Sequence, residues 1–223
     1  MSEEMLNELD LDHFRKIFSK YTKEAFQKLP KLEKPRILDI GCGSGVPTME
    51  LARLCKGEII GIDIDQVLLD CLSRKIEQEG LTNRVKAIKC SLVDIKFPDN
   101  SFDIIWAEGS VTTLGVERSL RGWNRLIKPN GFLVIHDEIK HFFKKRHKVA
   151  SCGYKIIEHF SLPEEAWWEE YYSPLEIRIK ELYKKYSNDP DALEVLNIHQ
   201  TEIDIVKTSP KSFQSVFCIM QKM

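Results

Sequence analysis

No stretch of this chain approaches the ~18 consecutive apolar residues that a membrane-crossing helix needs. Its acidic start, Met-Ser-Glu-Glu-Met, lacks the apolar core of a secretory signal. The expectation is a cytoplasmic protein with no membrane partner. Nor does one sign of charge dominate: 33 Lys+Arg stand against 34 Asp+Glu, a formal net charge of −1. Domains held on nucleic acid by phosphate attraction are usually markedly basic, so the balance speaks against such a partner. The six cysteines (Cys42, Cys55, Cys71, Cys90, Cys152 and Cys218) include no Cys-x-x-Cys pair. His136, His141 and His147 are spaced by five and six residues, which stacks no pair well on one helical face. A structural zinc framework is therefore not expected, and no metal is assigned. The cysteines in apolar stretches read as small buried thiols. There is no internal repeat, low-complexity tract or flexible linker. With 223 residues, 43% of them apolar, the chain reads as a single domain, 1–223, with a sizeable core.

What is present is an alternation. Short apolar runs occur at 36–40 (Arg-Ile-Leu-Asp-Ile), 58–63, 85–89, 102–107 and 131–136. Most are nearly continuous Ile, Leu and Val, as in strands buried on both faces of a parallel sheet. Between them, Gln66–Gln78 and Val116–Ile127 carry Leu and Ile at helical spacing. Turn signals stand at Pro98-Asp99-Asn100-Ser101 and at Lys128-Pro129-Asn130-Gly131. This pattern predicts a doubly wound α/β fold with right-handed crossovers. Residues 1–35 read as an N-terminal helical segment, with Leu11, Phe14, Ile17, Phe18 and Tyr21 on one face, and Tyr21 as a candidate to close a site. Strands are expected at Tyr154–Leu162 and Ser212–Gln221, which brings the sheet to seven. A helical insertion, 163–207, lies between them.

The first strand runs into Asp39-Ile40-Gly41-Cys42-Gly43-Ser44-Gly45 and then into an amphipathic helix. Glycines at such a turn let the backbone approach a ligand closely, and the helix start that follows favours an anionic group. No Gly-Lys-Ser/Thr follows, which excludes a P-loop. Asp63, twenty residues after Gly43, ends the second strand at the same edge, where a carboxylate can accept both hydroxyls of a ribose. A dinucleotide would satisfy this pair as well, so the loop and Asp63 alone leave the cofactor open.

Four blocks together narrow it: 37–45, Gly61-Ile62-Asp63, Phe97-Pro98-Asp99-Asn100-Ser101-Phe102-Asp103 and Leu126-Ile127-Lys128-Pro129-Asn130-Gly131-Phe132. In order and spacing they resemble the class I S-adenosylmethionine-dependent methyltransferases, over a core of 36–137. A narrower likeness to a small-molecule-type subgroup continues through Trp106–Val111 and Trp167–Glu176. The resemblance implies a seven-stranded, mostly parallel, Rossmann-like sheet and S-adenosylmethionine as cofactor. It also implies that Asp39 lies near the methionine amino group and that Gly41, Cys42 and Gly43 meet the methionine moiety. Asp63 would hold the ribose, and Ile64 would cover the adenine. Ser91 stands where the family commonly has an acid for the adenine amino group, a departure, and is followed by Leu92 with its backbone N–H. Ala107 and Glu108 match positions bordering the methionine and the transferred methyl.

The acceptor is less legible. The place after strand four reads Ala107-Glu108-Gly109-Ser110, without the Pro-Pro motif of DNA amino-methyltransferases, and no proline precedes a cysteine as in cytosine C5 enzymes. The one basic cluster, Lys140–Lys148 with Phe142 and Phe143, reads either as a solvated helix face or as an RNA contact. Trp167, Trp168, Tyr171 and Tyr172 form a broad helical stripe. This stripe either docks the helix or walls a pocket for a small-molecule acceptor. Glu108 and His136, both expected at strand ends, are the candidates for a catalytic base, although a strand-end His is often structural. The expected function is methyl transfer to a small molecule. RNA or protein methylation, or a non-catalytic binding scaffold, are the alternatives. Oligomeric state has no sequence signal.

Overall fold

The computed structural model describes residues 3–138, 148–209 and 213–223. The chain begins with helices α1 (Glu3–Leu9), α2 (Leu11–Ile17) and α3 (Ser19–Gln27). Then follow β1 (Arg36–Ile40), α4 (Val46–Leu54), β2 (Glu58–Asp63), α5 (Gln66–Gln78) and β3 (Val85–Lys89). Next come β4 (Phe102–Glu108), α6 (Val111–Leu114), α7 (Val116–Asn124) and β5 (Ile127–Glu138). After β6 (Tyr154–Ser161) lie a π-helical turn (Trp168–Tyr172), α8 (Ser173–Lys185), α9 (Pro190–Thr208) and β7 (Ser215–Lys222). These elements form two compact units, Ser19–Ser161 with Ser215–Met223, and Met1–Phe18 with Leu162–Gln214.

The first unit is built on a seven-stranded sheet of order β3-β2-β1-β4-β5-β7-β6. β1 to β5 pair in parallel, and β7 runs antiparallel between β5 and β6. The order reverses beside β1, so the carboxyl ends of β1, β2 and β4 meet at one edge, the place where open α/β sheets bind ligands. The Ile-rich strands are covered on both faces. Leu38, Ile40, Ile60, Ile62 and Ile105 pack with Leu120 and Trp123 of α7 and with Val216 and Met220 of β7. Asp65 starts α5 by accepting from the backbone N–H of Val67 (2.9 Å) and Leu68 (3.3 Å).

Three sequence expectations are corrected here. The helix foreseen to Ile127 ends at Asn124, and β5 begins at Ile127, upstream of the expected turn. Pairing jumps from Phe102↔Ile127 to Ile104↔Phe132, so Lys128-Pro129-Asn130-Gly131 is accommodated as a bulge within the strand. The N-terminal helical segment is broken at Asp10, whose backbone is left-handed, and at Phe18, and only α3 belongs to the sheet unit. The aromatic stretch Trp168–Tyr172 is wound as a π-helix rather than an α-helix, and Trp167, Tyr171 and Tyr172 still meet on one face.

In the second unit, α1 is tied to α8 by Glu8, whose carbonyl accepts from Arg178 Nε (2.8 Å) and whose Oε1 accepts from Lys185 Nζ (2.8 Å). Phe14 and Tyr171 meet edge to face, and Leu175, Ile179, Leu196 and Ile203 are buried. Asp189 caps α9 through the backbone N–H of Ala192.

Candidate functional site

The glycine loop leaves β1 and turns back against β2. The backbone N–H groups of Gly41 and Cys42 both donate to the carbonyl of Ile62, and that of Gly43 donates to Asp63 Oδ2 at 2.9 Å. These donors face the neighbouring strand, so what the loop presents on its other side is bare backbone. A Cβ added at Gly43 would meet nothing closer than 4.0 Å, which leaves room for a ligand to approach. Gly45 plays a different part. Its φ of +85° opens α4, and a Cβ there would stand 2.2 Å from Leu72 Cδ1 of α5, so this glycine serves packing.

Asp63 is half-buried at the end of β2. Oδ2 accepts from Gly43 N–H and Oδ1 from Asp65 N–H (3.0 Å). A carboxylate oxygen carries two acceptor positions, so each keeps one for a hydroxyl. Next to it Ile64 is 66% exposed, and Val93, beyond β3, is 59% exposed. Leu92 and Ser91 are half-buried; Ser91 Oγ accepts from Val93 N–H at 3.4 Å, and its carbonyl from Asp94 N–H. Ile64, next in the chain to this carboxylate, is a large apolar side chain open to solvent, which suits a flat ring attached to a sugar.

Asp39 lies beneath the loop and is buried. Thr48 Oγ1 of α4 donates to its Oδ2 at 2.5 Å. Burial pushes the Asp39 carboxyl up to about 7; the Thr48 hydroxyl opposes the rise, and the charges of Glu108 and Asp63 add to it. Three carboxyl groups thus share this edge, an environment that favours a cationic ligand. Cys42 is buried, and burial is the chief cause that pushes its thiol well above its ordinary range.

Glu108 ends β4 opposite His136 of β5. Its Oε1 accepts from Trp106 Nε1 (2.7 Å) and from Thr22 Oγ1 of α3 (2.9 Å). Its Oε2 stands 3.7 Å from His136 Nδ1, close enough for attraction but too long for a hydrogen bond. On the other side of the imidazole, His136 Nε2 and Ser215 Oγ of β7 are 2.8 Å apart, and the ring stacks on Phe217 at 4.2 Å between centroids. The fold therefore brings together Glu108 and His136, which the sequence singled out. It adds Thr22 and Ser215, which sequence reading missed. Neither of these carries a motif: Thr22 is one polar residue on a short helix, and Ser215 only opens the last strand. Ala107 is buried in β4, and Ser110 Oγ fastens the next turn to the Ile40 carbonyl at 2.7 Å.

The four aromatics of the insertion belong to the helical unit. Tyr171 and Tyr172 are buried, and Tyr172 OH donates to Glu202 Oε1 at 2.8 Å. Trp167 packs on Phe18 with the rings tilted by 30° and their centroids 4.5 Å apart, and Lys207 Nζ lies over the Trp168 ring; both indoles are half-buried. Tyr21 is nearly buried on α3. Of the Lys140–Lys148 cluster, all but Lys148 lies outside the described residues, and Lys148 pairs with Glu117. Among the described residues no group of three or more His, Cys, Asp or Glu is placed to hold a metal, and no helix is long and apolar enough to cross a membrane.

The sheet order, the glycine loop and the acid ending β2 define a class of protein, and comparison with known families gives the same class. Residues 38–135 match a family described as a methyltransferase domain. That match, together with the relatives below, supports a class I S-adenosylmethionine-dependent methyltransferase. Among particular relatives, a sterol 24-C-methyltransferase of Aspergillus fumigatus is 30% identical over 106 residues, 47% of this chain and 28% of that protein. A ubiquinone/menaquinone biosynthesis C-methyltransferase of Shewanella baltica is 27% identical over 164 residues, 72% of this chain and 62% of that protein. The chain thus spans less than two thirds of the length of these relatives. Similar solved structures include the cyclase SpnF (TM-score 0.77, 18% identity, 92% of this chain and 80% of that one). Another is a methyltransferase from Thiobacillus denitrificans in complex with S-adenosyl-L-homocysteine (TM-score 0.72, 18% identity, 92% and 90%). At such identities the likeness is one of fold.

Proposed function

We propose that this protein moves a methyl group from S-adenosylmethionine to a small-molecule acceptor by in-line displacement. The observation that carries the reading is the pairing of Asp63 with the glycine loop. One carboxylate is held by the backbone N–H groups of Gly43 and Asp65 at the end of β2, and the residue that follows it, Ile64, is exposed. Those features fit the three parts of the cofactor: Asp63 for the ribose hydroxyls, Ile64, Leu92 and Val93 for the adenine, and the Gly41–Gly43 backbone for the methionine. Ser91 would give adenine one neutral hydrogen bond in place of a charged one. Asp39, Asp63 and Glu108 supply negative potential for an ammonium and a sulfonium. When bound, the cofactor brings a methyl group already activated on a positive sulfur.

What remains for the chain is to align the acceptor, take its proton where needed and exclude water. Glu108 and His136 are the groups we assign to the proton, and Ala107 borders the same strand end. For the acceptor we assign Trp167 and Trp168, which keep exposed area, ahead of Tyr171 and Tyr172, which are committed to their own helical core. Small acceptors are consistent with the relatives, whose names specify a sterol and a quinone precursor pathway.

Calorimetric titration with S-adenosylmethionine, with NADH as control, tests the reading. Saturable binding of the former alone is expected, and labelled methyl then serves to screen small acceptors. Failure of a folded protein to bind S-adenosylmethionine would refute it.

A further inference from the structure

α8 and α9 of the helical unit lie antiparallel: Tyr183 OH donates to Asn197 Oδ1 at 2.7 Å, and Lys207 Nζ donates to Glu176 Oε1 at 2.5 Å. Leu175, Ile179 and Leu182 of α8 and Leu196, Ile203 and Val206 of α9 are buried. The opposite faces are not wholly polar. Ile177 on α8 is 62% exposed, and Ile198 and Ile205 on α9 are 63% and 50% exposed. Single exposed apolar side chains are ordinary, but three on one helix pair make a patch. Ile198 and Ile205 are seven residues apart and so share a stripe with Glu194 and Thr201. A groove of about 500 Å³ runs along it, lined by Pro190, Leu193, Glu194, Asn197, Ile198 and Thr201. The two contacts between the helices set their levels. Ile177 lies about level with Ile205, and Lys184 lies within a turn of both Ile198 and Glu194. Charge is sorted by helix. The exposed charges on this side of α9 are Glu194 and Asp204, whereas α8 presents Lys180 and Lys184 beside Glu181, which is 3.4 Å from Arg178. Neither Lys184 nor Glu194 has an ion-pair partner among the described residues.

We propose that this face binds a second copy of the same chain, as a two-fold dimer in which α8 of one copy lies on α9 of the other. An axis within the interface, parallel to the helices and midway between them, produces that pairing and sets residues of equal level opposite each other. Ile177 then meets Ile205 of the second copy, and symmetry makes the contact twice. The Lys184 stem covers Ile198 of the second copy while its ammonium reaches Glu194 there, since lysine buries its methylenes and keeps its head polar. An axis across the helices would instead lay α8 on α8 and α9 on α9, opposing like charges. A second copy is the occupant because the face carries both halves of its own complement: isoleucines at matching levels and opposite charges on adjacent helices. With α8 13 residues long and α9 beside it, the face measures roughly 20 Å each way, near the small end of specific interfaces, about 1,000 Å² in total. The dimer is therefore expected to be reversible and to depend on concentration. It is independent of the methyl-transfer reading.

Sedimentation velocity of the full chain from about 1 to about 200 µM tests the proposal, with a shift from monomer to dimer expected across that range. Lys184→Glu and Glu194→Lys each reverse a charge at an exposed position, so both variants should fold, which thermal melts check. Each sets like charges opposite each other at both contacts and should weaken dimerisation about tenfold or more. Mixing the two variants in equal amounts restores attraction at both contacts, and dimer should reappear as the mixed pair. Ile198→Asp, which puts a charge into the patch, should also favour the monomer. A wild type that stays monomeric at every concentration overturns the proposal. Co-sedimentation of that monomer with phosphatidylcholine vesicles would assign the face to a lipid surface instead. A dimer that all three variants leave intact uses another face and overturns it too. Dimer lost in both charge variants and not recovered on mixing would overturn the pairing of α8 with α9.

Discussion

Asp39 illustrates how one residue carries two opposing demands. Its carboxyl is raised from an ordinary 3.8 to about 7 because it is buried, with only the Thr48 hydroxyl in partial compensation. The folded state therefore holds a proton there that the unfolded chain has already lost, and stability from this group falls as pH rises from about 4 to about 7. Asp39→Asn should flatten that decline and raise the melting temperature at pH 8, on a scale of about 4 kcal/mol at most. Thermal melts of both proteins at pH 5 and pH 8 check this. A cationic ligand reverses the preference, because it stabilises the ionised form. S-adenosylmethionine affinity should rise as pH passes through about 7, with proton release on binding detectable by calorimetry in buffers of different ionisation enthalpy. Asp63 sits at the surface of the same edge, and Asp63→Ala should weaken S-adenosylmethionine binding by about 1.5–3 kcal/mol, the scale of a charge-assisted hydrogen bond. Unchanged affinity would refute its ribose role. Asp63 and the glycines were legible from the sequence because their chemistry is local: a strand end, a tight turn and a fixed spacing. Ser215 was not, because its importance comes from a partner 79 residues away.

At the scale of elements, the site depends on how strand ends and helix starts are fastened. Gly45 lets α4 begin tight against Leu72 of α5, and Gly45→Ala combines a left-handed backbone with a 2.2 Å clash. A loss of about 1–3 kcal/mol follows from strain and overpacking, measurable by urea denaturation. The helix α3 joins the sheet unit through Thr22, whose hydroxyl holds Glu108 at 2.9 Å. Thr22→Val removes one donor but leaves Trp106 Nε1. A cost of about 1 kcal/mol, or about 2–4 °C in melting temperature, is expected. An unchanged melt would mean that the tryptophan alone secures the carboxylate. β5 shows where reading by elements stops short. Lys128-Pro129-Asn130-Gly131 has every local mark of a turn, yet pairing with Phe102 carries the strand past it, and the extra residues become a bulge. Pairing partners are invisible to a local pattern.

At the scale of the whole molecule, all the residues assigned to the cofactor lie in the unit 19–161 with 215–223, while the four aromatics assigned to an acceptor lie in the unit 1–18 with 162–214. Trp167→Ala combined with Trp168→Ala should therefore leave S-adenosylmethionine affinity within about twofold, since neither indole is among the cofactor residues. Loss of cofactor binding in this variant, with the fold retained, would overturn the assignment. By itself the sequence determined the α/β alternation, the class of domain, the loop and Asp63. These are written in periodicities and short motifs that follow from backbone geometry. Tertiary structure decided the rest. It joined α1 and α2 to the insertion rather than to α3, made the aromatic stretch a π-helical turn, and set Glu108, held by Thr22, and Ser215 on either side of the His136 imidazole. Those outcomes depend on which surfaces bury one another and which buried polar atoms find partners, and both are settled only when segments distant in sequence are packed side by side.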